Sequence, residues 1–200
     1  NPEGAMQGFR LRGSDNISYH IADMMRNIEA GFRGFLVFDE GVLNIVNKMR
    51  AEGLIPKETV FKFSVFGGYC SAAGAQILEK LGANSMNPIS DVSLPILSSI
   101  RKAVDIPLDV YIIIVDAFGG MYRAYETPEI ARVASPVYFK IEPGTSEGDI
   151  YTPWVTEAFH DNLVREKVKM ASVIQEIMSK HAPDLKTSPK GAADLILPAV

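Results

Sequence analysis

A single cysteine, Cys70, in 200 residues leaves nothing for an internal disulfide, a four-thiolate cluster or a zinc ribbon, and the expected compartment is the reducing cytosol. Histidine is scarce as well. His20, His160 and His181 show no i, i+4 pair of the kind that holds a metal on a helix, so each reads as a surface or helix-end residue. No stretch approaches the ~18 uninterrupted apolar residues of a membrane span. The opening Asn1-Pro2-Glu3-Gly4 has no basic segment leading into an apolar run, so no secretion signal is expected, and the missing initiator methionine reads as a fragment or processed chain. Neither sign of charge dominates, with 20 basic against 24 acidic residues and a net charge of −4, which disfavours a nucleic-acid partner. What is present is 47% hydrophobic and 22% charged residues, the composition of a folded chain. Its length suits one domain, expected over 1–182, with a tail at 183–200 whose Leu195-Ile196-Leu197 could dock on another surface.

Apolar spacing divides the chain into alternating short and long segments. Ile17, Ile21, Met24, Met25 and Ile28 recur at helical spacing and stop at Gly31. A strand-like run at 34–38 follows, then a helical pattern through Val42, Ile45, Val46 and Met49 to Gly53. The unit repeats as strand 60–66, helix 71–81 closed by Gly82, short strand 83–87 and helix 94–104. Strand 108–115 is the strongest. Thr127-Pro128-Glu129 reads as a capping hydroxyl with proline at the first helical position, 137–141 as a further strand, and 155–178 as a long amphipathic helix. A sixth strand is weighed at 8–11. Strand, helix and strand at a spacing of about 25 residues mean parallel strands joined by right-handed crossovers, hence an α/β class. Five strands fall short of a full eightfold barrel, which takes about 250 residues. The expectation is a TIM-barrel-like β/α repeat, as a partial barrel or a fragment of one, with an open doubly wound sheet as the alternative.

Strand parity then separates two faces. Phe61, Phe63 and Val65, then Leu108, Val110 and Ile112, then Val137, Phe139 and Ile141 form the apolar set for the helices. The opposite parity carries Lys62, Ser64 and Phe66, Asp109 and Tyr111, and Tyr138, Lys140 and Glu142. Charged residues in one enclosed space need partners. An ion-pair network that only fills a small barrel would give this pattern, and so would the floor of an active site. Because active sites of such folds lie at the carboxyl ends of strands, Lys140, Glu142 and Asp116 are the candidate catalytic residues, with Asp39, Glu40, Ser64, Asn87 and Arg123 as substrate-binding candidates. Asp109 sits near the start of its strand and is less well placed. Lys140 beside Lys62 is suited to act as a base or a Schiff-base nucleophile.

Other signals are weaker. Val65-Phe66-Gly67-Gly68 and Ala117-Phe118-Gly119-Gly120 both follow strands and could bring backbone N–H groups to an anion with help from Arg123, although paired glycines more often mark turns. Neither has dinucleotide or Walker spacing. Cys70 reads as a small buried filler at a helix start. Asp39, Glu40, Asp116 and Glu142 could hold magnesium or manganese through oxygens, but their spacing fixes no coordination shell, so the cofactor is left open.

The segments Phe63-Ser64-Val65-Phe66, Ala75-Gln76-Ile77-Leu78-Glu79-Lys80-Leu81-Gly82-Ala83, Ser90-Asp91-Val92-Ser93, Ile106-Pro107-Leu108-Asp109-Val110-Tyr111 and Tyr138-Phe139-Lys140-Ile141-Glu142-Pro143-Gly144 come in an order that resembles the collagenase-like peptidase family (peptidase U, family 32) over about residues 35–144. The chain departs at Pro143, where that family has glycine followed by arginine. The resemblance implies a TIM-barrel-like fold and a hydrolase acting on a small or peptidic substrate. Some such proteins serve in RNA modification or quinone hydroxylation and carry iron–sulfur clusters on several cysteines, which Cys70 alone excludes here. The expectation is therefore a hydrolase working at the carboxyl ends of the strands. Two alternatives stand beside it: a carbon–carbon lyase using a Schiff base or a metal, and a non-catalytic subunit whose missing strands come from another segment or chain, as in a homo-oligomer.

Overall fold

A computed structural model of the chain describes residues 10–146, 148 and 154–189. In chain order the elements are α1 (Gly13–Glu29), β1 (Gly34–Val37), α2 (Glu40–Ala51), β2 (Val60–Phe63), α3 (Ala72–Lys80), β3 (Ser85–Met86), α4 (Leu94–Ala103), β4 (Leu108–Ile113), α5 (Thr127–Ala134), β5 (Val137–Ile141) and α6 (Glu157–His181). Among the described residues the strands form one sheet in the order β1-β2-β3-β4-β5, and every neighbouring pair is parallel. A doubly wound sheet reverses its order part-way and places helices on both faces. Here the order never reverses, so right-handed crossovers carry the connecting helices to the same face. The class is α/β, and the architecture is a partial barrel with β1 and β5 as open edges.

The apolar parity packs against the helices. Phe61, Phe63, Met86, Leu108 and Ile112 are fully enclosed in a core that also takes Val42 and Val46 of α2, Leu78 of α3, Leu97 and Ile100 of α4, Ile130 of α5 and Ile174 of α6. At about 25 cal/mol per Å² of apolar surface, this layer is the main favourable contribution to the fold. Gly82 ends α3 at φ +96°, and a Cβ there would lie 2.2 Å from the Asn47 side chain, so only glycine fits.

Several boundaries differ from the sequence expectation for identifiable reasons. Strand β2 stops at Phe63 rather than 66 because the Ser64 hydroxyl accepts from the Phe66 N–H at 3.3 Å and starts a 3-10 turn. Strand β4 stops at Ile113 because its register on β5 slips between Tyr111 and Ile113 and the Ile114 N–H turns to the Met121 carbonyl. Thr127 does not cap α5, since its hydroxyl donates to the Ala124 carbonyl at 2.7 Å. Helix α1 starts at Gly13, ahead of its apolar pattern. Of the strand weighed at 8–11, residues 8 and 9 lie outside the described residues, and residues 10 and 11 are not in a strand. Helix α6 ends at His181, residues 182–189 run on without regular structure, and Leu195-Ile196-Leu197 lies outside the described residues. No helix among the described residues is long and apolar enough to cross a membrane.

Candidate functional site

The register fixes which side chains share the concave face. Lys62 pairs with Ser85, Asp109 with Tyr138 and Tyr111 with Lys140. Each belongs to the parity opposite the helix-facing set, so the rows converge as the sheet curls.

Lys140 Nζ donates to Asn87 Oδ1 at 2.8 Å and to the Tyr111 hydroxyl at 2.9 Å, and lies 4.3 Å from the centre of the Tyr111 ring. The Tyr111 hydroxyl in turn donates to Glu142 Oε2 at 3.1 Å. One phenol thus stands between an ammonium and a carboxylate, with ring and hydroxyl held by a residue that is 2% exposed. Asn87, 1% exposed, is itself fixed, because its Nδ2 donates to the Asp109 carbonyl at 2.7 Å. These contacts form a short hydrogen-bonded line along which a proton can pass in either direction.

A second pair lies one row towards the amino ends of the strands. Lys62 Nζ donates to Asp109 Oδ1 at 2.7 Å and sits 5.2 Å from the Tyr138 ring centre. Asp109 is wholly buried, and its Oδ2 has no hydrogen-bond partner among the described residues. Burial pushes the Asp109 carboxyl above its ordinary range, against the opposing pull of the Lys62 ammonium, the Ser85 hydroxyl and the charge of Lys140.

Three of the eight candidate residues therefore meet in one place: Lys140, Glu142 and Asn87. The others do not join them. Asp116 is exposed in a 3-10 turn, its side chain folded towards Gly120. Asp39 caps α2, accepting from the Val42 N–H at 3.0 Å and from the Leu11 N–H at 3.1 Å. Glu40 takes a two-pronged ion pair from Arg10, with both contacts at 2.8 Å, and the Tyr69 hydroxyl at 2.8 Å. Burial raises the Glu40 carboxyl, but these partners outweigh it and hold the group below its ordinary range. Ser64 is a turn cap. Arg123 is 7% exposed and is spent on the Ser90 and Val92 carbonyls and on Glu126, beside an open cavity of about 520 Å³. Cys70 is exposed rather than buried, since α3 begins only after Ser71, which caps it.

Tyr111, Lys62 and Asp109 belong to the site although the candidates chosen from sequence omit them. The signal for them is the same parity that selects Lys140. The two glycine loops are matching 3-10 turns, each closed by a left-handed glycine, Gly68 at φ 75° and Gly119 at φ 105°. They bring Phe66 and Phe118 together, ring centres 5.6 Å apart, at the carboxyl end of the sheet. Among the described residues no group of three or more His, Cys, Asp and Glu side chains is gathered as a divalent metal would require, because Asp39 and Glu40 are held elsewhere by backbone and Arg10.

No protein-family model and no curated protein matches the chain. Among solved structures it is similar to nitroalkane oxidase from Streptomyces ansochromogenes, with 16% identity, 66% of this chain and 39% of that chain covered, and a TM-score of 0.41. It is also similar to the YdjI aldolase from Escherichia coli K12, with 15% identity, 86% and 64% covered, and a TM-score of 0.39. The chain thus spans less than two thirds of either protein. At such scores neither likeness carries an argument, and the chemistry rests on the residues themselves.

Proposed function

We propose that this chain is an enzyme of the carbon–carbon lyase class that works on a small carbonyl substrate, with Lys140 as the Schiff-base nucleophile. The observation that supports it is the Tyr111 hydroxyl lying between Lys140 Nζ at 2.9 Å and Glu142 at 3.1 Å. A lysine attacks a carbonyl only after losing a proton, and the phenol offers that proton a route to the carboxylate. Nζ then bonds to the carbonyl carbon. The oxygen leaves as water after taking two protons, one of them returned along Tyr111, so ammonium and carbonyl become iminium and water. In the lyase step the Glu142 carboxylate, through the Tyr111 hydroxyl, takes the proton of a hydroxyl one carbon beyond the substrate's α-carbon and holds it for the enamine. The bond between the two carbons breaks towards the iminium, and an aldehyde departs. Protonation of the resulting enamine and hydrolysis release the second product and regenerate Lys140. Asn87 holds the nitrogen in place.

Borohydride reduction in the presence of small aldehydes and oxo acids should leave a covalent adduct on Lys140, located by peptide mass mapping, and Lys140→Met should abolish it while the thermal melt persists. The absence of any adduct in the folded wild-type protein would remove the lysine from the mechanism. Hydrolase action on a small or peptidic substrate, which the resemblance implies, would use the same line differently, with Glu142 taking a proton from water through Tyr111. It forms no adduct on Lys140, and neither capping Ser64 nor exposed Cys70 supplies a nucleophile at this centre.

A further inference from the structure

The lyase reading leaves Lys62 unused, and its surroundings bear on the substrate. Of its three N–H bonds, one goes to Asp109, and the others meet no acceptor among the described residues. The side chain is 40% exposed although its partner carboxylate is fully buried, so the remaining donors face the open concave side of the sheet. Lys62 Nζ lies over Asp109 and Lys140 Nζ over Tyr111, two residues apart on the same face of β4. That spacing is about 7 Å along the strand.

We infer that Lys62 anchors the carboxylate of a 2-oxo acid whose keto carbon is attacked by Lys140. This rests on the Schiff-base reading above and adds the substrate class to it. A carboxylate adjacent to the reacting carbonyl spans the gap when one end accepts a charge-assisted hydrogen bond of about 2.8 Å from Lys62 and the other is bonded to Lys140. A phosphate dianion suits the place poorly, because the Lys62 ammonium is already shared with Asp109, and Glu142 stands one row away. Exposed Leu36, the register partner of Lys62 on β1, offers an apolar wall for the substrate's hydrocarbon part.

The test compares labelling of Lys140 by 2-oxobutanoate and by butanal, two four-carbon probes, under borohydride with the full chain. The oxo acid should label at least about tenfold faster, the worth of one charge-assisted hydrogen bond. The ratio should fall towards one in Lys62→Met and in Lys62→Met/Asp109→Asn, the double variant guarding against a fold lost to an uncompensated buried carboxylate. It should be retained in Lys62→Arg. Equal labelling of the wild type by both probes, or an undiminished ratio in the double variant, overturns the substrate class while leaving the Schiff base standing. Labelling by neither overturns both.

Discussion

Tyr111 decides whether the inner-face cluster is a catalytic line or only a satisfied network, because its hydroxyl is the atom that joins Lys140 to Glu142. Tyr111→Phe keeps the ring under the ammonium and removes only that atom, so the fold should survive. Borohydride labelling of Lys140 should slow roughly 10²–10⁴-fold, the usual worth of positioned acid–base catalysis. A rate unchanged by the substitution would make the phenol a packing group. At this scale much of the site can be read from sequence: alternation of apolar residues in three strands is enough to turn Lys62, Asp109, Tyr111 and Lys140 to one face. Alternation carries no information about residues beyond strand ends. Asp39 and Asp116 sit at carboxyl ends as expected, yet one is held by the backbone of α2 and the other bends towards Gly120. Asp109, discounted for its place early in the strand, lies at the floor of the cluster because Lys62 reaches it from two strands away.

At the scale of elements, the rim of the sheet is tied down by a contact that no local pattern announces. Arg10 reaches both Glu40 at the start of α2 and the Gly67 carbonyl at 3.1 Å, so the segment before α1 clasps the loop that carries Phe66. That loop leans on the site, since Val65 packs against the cluster of Tyr111, Ile114 and Val115, and Phe66 against Phe118. The partners lie 30 and 57 residues apart, beyond the reach of periodicity. The carboxyl of Glu40 is held below its unfolded value, so its contribution is present above the unfolded pKa and is lost as pH falls through the folded one. Glu40→Gln should lower stability by about 1 kcal/mol at neutral pH, the upper end for a partly exposed pair, and the deficit should shrink on acidification. Amide exchange at 67 and 68 should quicken in the variant, and in the wild type at low pH after correction for intrinsic rates. Unchanged protection would detach the loop from the clasp.

Among the described residues the molecule is an unclosed barrel, and its order of strands places the two halves of the site in unequal surroundings. All six residues of β4 are buried and the strand is paired on both sides, whereas β5 is an edge whose residues are all half-buried. Tyr111 is therefore carried by an interior strand of the sheet and Lys140 by its margin. Sub-global opening draws first on elements with few buried contacts, while the most enclosed strand opens only with the whole fold. Native-state hydrogen exchange should show amides of β4 exchanging at the free energy of global unfolding and those of β5 exchanging sooner, with the melting free energy from denaturant as the reference. An oxo-acid probe trapped on Lys140 and bridged to Lys62 would tie the margin to β2 across the sheet. Protection in β5 should rise towards that of β4 in the reduced adduct, while β4 itself changes little. Equal protection of the two strands in the unliganded chain would mean that the open edge is no weak point and that Lys140 is as firmly placed as Tyr111.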